Sequence, residues 1–115
     1  FRVSMLQNMI PLQAGNILSN EPGFYKDGEW GIRIENLVLT VEKKDSEWGK
    51  FLGFEDLTLC PYDKKMIETQ MLNSLEVAQI NAYHDKVRTV VGALLEGEEL
   101  AWLLSATEPI GQNVE

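Results

Sequence analysis

At 115 residues, with 44% hydrophobic and 24% charged residues, the chain has the composition of one small folded domain rather than of a disordered or fibrous polypeptide. A formal net charge of -8 excludes nucleic acid and anionic membrane surfaces as natural partners, because no basic stripe is present to release phosphate counterions. No apolar run approaches the roughly 20 residues of a membrane span, and the single cysteine, Cys60, offers neither a disulfide nor a Cys-x-x-Cys metal signature, which points to a reducing, cytoplasmic setting.

Proline and glycine punctuation cuts the sequence into a strand-rich front and a helix-rich back. The first strand is expected over residues 16–21, entered from the turn-like Pro11-Leu12-Gln13-Ala14-Gly15 and closed by Pro22, which biases Glu21 toward an extended backbone. Asp27-Gly28 signals a turn before a second strand over residues 30–42. There Ile32, Ile34, Asn36, Val38 and Thr40 alternate with Arg33, Glu35, Leu37, Leu39 and Val41, so that Glu35 shares its face with three apolar side chains. The polar stretch 42–50 reads as a loop and residues 51–59 as a third strand ended by Pro61, giving a three-stranded meander. Cys60 is expected to be a small buried apolar residue.

In the back half the period changes. Asn73, with Glu76 three residues later, forms a capping box, and Ile80, Tyr83, Val87, Val90, Val91 and Leu94 recur at helical spacing, predicting a helix of about five turns over residues 73–94. Gly97 interrupts it, and residues 98–106 form a second, shorter helix with Leu100, Leu103 and Leu104 on its apolar side. The fold class is therefore α+β, an antiparallel sheet of three or more strands covered by one long helix. The charge runs at 43–45 and 96–99 read as solvated faces.

Two residues carry the chemical argument. Glu21 and Glu35 each sit inside a strand pattern, where a carboxylate is costly unless something pairs with it. Taken alone, each has an ordinary explanation: Glu21 as a solvated strand end, Glu35 as half of a weak surface pair with Arg33. Together, Asn20-Glu21-Pro22-Gly23 and Gly31-Ile32-Arg33-Ile34-Glu35-Asn36 put two acids on adjacent antiparallel strands about 4.8 Å apart. Carboxylates there can converge on hard divalent ions, and two-metal sites hold their ions about 3.5–4 Å apart.

These motifs, in the run from Gly15 through Tyr25 and again from Gly31 to Asn36, resemble the end of the catalytic domain of Xaa-Pro aminopeptidases, the aminopeptidase P family. Leu57-Thr58-Leu59-Cys60-Pro61-Tyr62-Asp63, Asn81-Ala82-Tyr83-His84 and Glu98-Glu99-Leu100-Ala101-Trp102-Leu103 resemble the region that closes its cytosolic type. The resemblance implies the C-terminal segment of a pita-bread domain, spanning residues 1–115, in an enzyme that removes the N-terminal residue from peptides with proline second. It also implies a dinuclear site, commonly manganese, in which Glu21 binds one metal and helps activate the attacking water. Glu35 then bridges the two ions, and Arg33 holds a carboxylate from behind.

The two aspartates and the ligand histidine of that family find no counterpart. Asp27 and Asp45 lie in predicted turns, and His84 lies in the back helix as a surface or packing residue. The chain by itself is accordingly expected to bind metal weakly and to lack peptidase activity, its partner being the missing N-terminal part of the catalytic domain. A chain opening on Phe1 instead of methionine fits an excised piece. The rival implied by the same fold is a non-catalytic pita-bread module that binds peptides or proteins. Whether the chain forms a homodimer to cover its sheet is left open. Trp30, Trp48 and Trp102 are expected to be packing residues, and Phe24 and Tyr25 to line either a pocket or the core.

Overall fold

A computed structural model describes residues 10–111, which fall into two compact units meeting in sequence between Thr58 and Leu59. In the first unit, β1 (Ile17–Asn20), β4 (Asn36–Ser46) and β5 (Gly49–Asp56) form an antiparallel sheet in the order β1-β4-β5. A separate two-stranded ribbon pairs β2 (Gly23–Lys26) with β3 (Trp30–Arg33). The Asp27-Gly28 turn joins that ribbon: the Glu29 N–H bonds the Lys26 carbonyl at 3.0 Å, and Gly28 takes a φ of 73°, which a side chain would disfavour.

Among the described residues the expected three-strand meander is five strands. Residues 30–42 do not run as one strand but break at Ile34-Glu35, and Pro22 supplies the reason. The Ile34 N–H reaches the Pro22 carbonyl at 3.2 Å, yet proline has no N–H with which to return the bond, so the ladder loses one rung there. The polar stretch 42–50 is strand as well, up to a tight Glu47-Trp48 hairpin in which the Ser46 hydroxyl donates to the Gly49 carbonyl at 3.3 Å. Cross-strand pairing of Glu42 with Leu52 and of Asp45 with Lys50 overrides the local polarity that suggested a loop. A bulge lies between Glu42 and Lys44, and the Lys43 side chain drapes over Gly53, where a Cβ would meet it at 2.5 Å. Past β5, the Leu37 N–H finds the Thr58 hydroxyl at 2.9 Å.

The second unit begins with two short 3-10 turns, Lys64–Met66 and Thr69–Met71, followed by α1 (Ser74–Gly92) and α2 (Gly97–Ala106). The predicted capping box is present: the Glu76 N–H donates to the Asn73 side chain at 2.9 Å, and the Asn73 N–H donates to the Glu76 carboxylate at 2.9 Å. Asn73→Ala is expected to lower the stability of this unit by about 1 kcal/mol, read as a lower urea midpoint at unchanged slope.

Tyr83, Val87 and Leu103 form the buried core, packed by Leu59, Tyr62, Val91 and Leu95. Polar side chains bind the surrounding backbone. Asn81 exchanges two hydrogen bonds with Ile110, Arg88 donates to Thr107 Oγ1 and the Leu104 carbonyl, and Lys64 donates to the Ser105 carbonyl at 2.7 Å.

Two expectations about packing are corrected. Cys60 is exposed, because it is the residue's backbone N–H and carbonyl, not its thiol, that the Tyr83 hydroxyl holds. Trp30, Trp48 and Trp102 are exposed by 56%, 82% and 62%, so none is a core residue of this chain. Trp48 occupies the β4–β5 hairpin tip and Trp30 rests against Phe24, with ring centroids 5.1 Å apart. Phe24 and Tyr25 are also exposed and do not belong to the core.

Candidate metal centre

The strand register decides where the two acids point. In the pairing of β1 with β4, Asn20 faces Asn36, and in the pairing of β2 with β3, Gly23 faces Arg33. Counting inward from either pair sets Pro22 opposite Ile34 and Glu21 opposite Glu35, so one antiparallel register runs through the break. Directly opposed residues of an antiparallel pair share a face. The Ile34 N–H to Pro22 carbonyl bond marks that pair as a hydrogen-bonded one, and hydrogen-bonded and non-hydrogen-bonded pairs alternate. Glu21 and Glu35 therefore occupy a non-hydrogen-bonded position, where Cα atoms are typically about 4.5 Å apart and side chains come closest.

Two like charges in direct opposition are unfavourable unless something lies between them. Arg33 does so here. Its Nε is 3.3 Å from Glu35 Oε2, and its Nη1 is 3.9 Å from Glu21 Oε2, so both carboxylates stand within 4 Å of one guanidinium. Arg33 lies two residues before Glu35, hence on the same face, and diagonally across from Glu21. All three side chains are about half exposed, and contacts of this kind contribute only about 0–1 kcal/mol each. Stability alone is a weak reason for the arrangement.

Sequence reasoning missed one member of the cluster. The Ser19 hydroxyl donates to Glu21 Oε1 at 2.7 Å, leaving Oε2 toward Arg33. The signal was available, since residues two apart on a strand share a face. Farther along that face, the Tyr25 ring lies over Gly31 and its hydroxyl lies beside Gly23; a Cβ on either glycine would come within 2.6–2.7 Å of it. The absence of side chains on these two glycines leaves room for the ring.

Among the described residues, no group of three or more His, Cys, Asp or Glu side chains is placed to hold a metal ion. Asp45 pairs in register with Lys50 in the β4–β5 hairpin, and Asp27 lies in the β2–β3 turn. His84 is a packing residue, fully buried in the second unit against Tyr62 and Tyr83. Two carboxylates that share a face, each held by an outer donor, fit one part of a centre for hard divalent cations, which prefer oxygen ligands.

Comparison with known proteins gives the family. Residues 50–110 match the family described as the C-terminal region of peptidase M24, and residues 3–42 match metallopeptidase family M24. The chain is 49% identical over 102 residues to the putative Xaa-Pro aminopeptidase FRA1 of Saccharomyces cerevisiae, covering 87% of this chain and 13% of that protein. It is 42% identical over 105 residues to Xaa-Pro aminopeptidase 2 of Sus scrofa, covering 88% and 16% respectively. The crystal structure of X-prolyl aminopeptidase from Caenorhabditis elegans, described as a cytosolic enzyme with a di-nuclear active site, superposes with a TM-score of 0.78 at 38% identity. That match covers 86% of this chain and 17% of the other. The chain thus spans only a small fraction of the length of these relatives, and its antiparallel strands and two helices have the α+β, pita-bread character expected of it.

Proposed function

Because this chain belongs to metallopeptidase family M24, in the part that forms its C-terminal region, we propose that it is the C-terminal segment of the catalytic domain of an Xaa-Pro aminopeptidase. The parent polypeptide removes the N-terminal residue from peptides with proline in second position and works in the cytoplasm. Among the described residues no helix is long and apolar enough to cross a membrane. The observation that carries the reading is the opposition of Glu21 and Glu35 across one hairpin register, with Arg33 within 4 Å of both.

In this reading Glu21 and Glu35 would hold a pair of divalent cations, manganese by preference, with Glu35 the ligand common to both. When bound, these ions supply Lewis-acid chemistry, polarising the scissile carbonyl and making water acidic enough to attack at neutral pH. Glu21 would orient the attacking water and would accept its proton on a carboxylate oxygen. Ser19 limits the rotation of Glu21 by its bond to Oε1, and Arg33 fixes the spacing of the two acids. The remaining ligands come from upstream sequence, so the 115-residue chain alone is inactive.

Arg33→Lys tests the positioning role. A guanidinium presents separate N–H groups to the two carboxylates, whereas an ammonium is a single point donor. The substitution is expected to lower kcat/KM by about 10- to 100-fold in the parent enzyme, the usual effect of disturbing an outer partner of a metal ligand.

The activity itself is tested by incubating the parent polypeptide with an Xaa-Pro-Xaa peptide and its Xaa-Ala-Xaa analogue. The expected result is release of the first residue from the proline peptide only, lost with a chelator and restored by Mn²⁺. Absence of release, or release indifferent to chelation, would overturn the proposal.

A further inference from the structure

His84 lies within α1 and is fully buried, its ring centroid 5.8 Å from that of Tyr62 and 6.2 Å from that of Tyr83. Its Nε2 accepts the Tyr62 N–H at 3.0 Å. A neutral imidazole that accepts at Nε2 carries its proton on Nδ1, and Nδ1 has no hydrogen-bond partner among the described residues. The preceding side chain acts in the same way on the neighbouring backbone. The Tyr83 hydroxyl accepts the Cys60 N–H at 3.3 Å and donates to the Cys60 carbonyl at 3.1 Å. Pro61 has no N–H. Both amide donors of Cys60-Pro61-Tyr62 are therefore taken by two consecutive side chains of one helix.

We propose that Tyr83 and His84 form a proton-sensitive latch on this segment, closed while the imidazole is neutral and opened when it gains a proton. A protonated imidazole is a donor at both nitrogens, so its Nε2–H would confront the Tyr62 N–H instead of accepting it. No solvent reaches the ring to take the charge. The charged groups that act on it are both cations: Lys64, from the first 3-10 turn, and Arg88, one helical turn along α1. Neither is free to swing away. Lys64 is held by the Ser105 carbonyl and the Glu108 carboxylate, and Arg88 by Thr107 Oγ1 and the Leu104 carbonyl.

Burial, then Lys64, then Arg88 hold the imidazole below its ordinary value of 6.5. The closed latch therefore favours the neutral ring. Its stability is fully present above pH 6.5 and is lost as pH falls toward the lowered native value. Within that window one proton is taken up per opening, so the opening equilibrium rises by up to about tenfold per pH unit.

Amide exchange of Tyr62, corrected for its intrinsic pH dependence, reads the latch directly. In the unaltered chain the opening constant is expected to climb by up to about tenfold per pH unit on acidification below about pH 6.5. In His84→Gln the side-chain carbonyl still accepts the Tyr62 N–H but cannot be protonated, so opening is expected to be flat with pH. Equal slopes in the two proteins, or a flat response in the unaltered one, would overturn the proposal. An NMR titration of His84, the one histidine of this sequence, gives a second readout that needs no variant. A midpoint below 6.5 supports the latch, and one at or above 6.5 contradicts it.

Discussion

Glu35→Ala in the parent polypeptide is expected to lower kcat/KM on an Xaa-Pro peptide by well over about 100-fold, with Mn²⁺ in excess. The bound follows from comparison, since even partners one step removed from a metal are worth about 10- to 100-fold. Glu35 stands opposite Glu21 in the hairpin register and is the acid that Arg33 approaches more closely, at 3.3 Å. Its removal takes away the carboxylate assigned to both cations, and it leaves Glu21 and Arg33 as a simple surface pair. Folding should change little, because the side chain is about half exposed and its contact with Arg33 contributes at most about 1 kcal/mol. A large activity loss at an unchanged thermal midpoint is the expected pattern, measured by steady-state kinetics beside differential scanning calorimetry. Equal rates in the two proteins would remove Glu35 from the mechanism.

Leu103→Ala is expected to have the largest effect on stability, about 2–5 kcal/mol by denaturant unfolding. Leu103 is 1% exposed on α2 and packs with Tyr83 and Val87 of α1 in the small buried core of the second unit. Truncation leaves a cavity in a core with few other members, and domains of this size have only about 5–15 kcal/mol in total. Leu94→Ala is the control. It lies just past α1 and is 82% exposed, so it should change stability by no more than about 0.5 kcal/mol.

Much of the molecule is legible in the sequence because local signals and global fold agree. The Asn73 capping box, the Asp27-Gly28 turn and the second helix up to Ala106 are each specified by residues within a few positions. The sharing of one face by Glu21 and Glu35 is legible too, from two extended segments joined by a turn. The break of the second strand is not. Its cause is the missing N–H of Pro22, which acts on residues 34–35 through pairing and leaves no mark on their own segment. The same holds for β4 running through the polar residues 42–46, where pairing with β5 supplies the stabilisation that local composition does not.

Packing is the hardest property to read. Val90 and Leu94 continue the helical period of Tyr83 and Val87, yet they are exposed while His84 is fully buried. Periodicity measures apolar spacing, and it assigns a histidine no hydrogen-bond partner. The partner here is the Tyr62 backbone, 22 positions away in sequence. The size of Trp30, Trp48 and Trp102 argues for packing, but each projects from this chain. Ser19 escapes sequence reasoning because a serine carries no signal until a carboxylate two residues on is given a role.

The most direct test is a manganese anomalous difference map from crystals of the parent polypeptide soaked with Mn²⁺. Two peaks about 3.5–4 Å apart, one touching a carboxylate oxygen of Glu21 and both touching Glu35, are predicted. Manganese bound elsewhere, with the side chains of Glu21 and Glu35 paired only to Arg33 and water, would contradict the assignment.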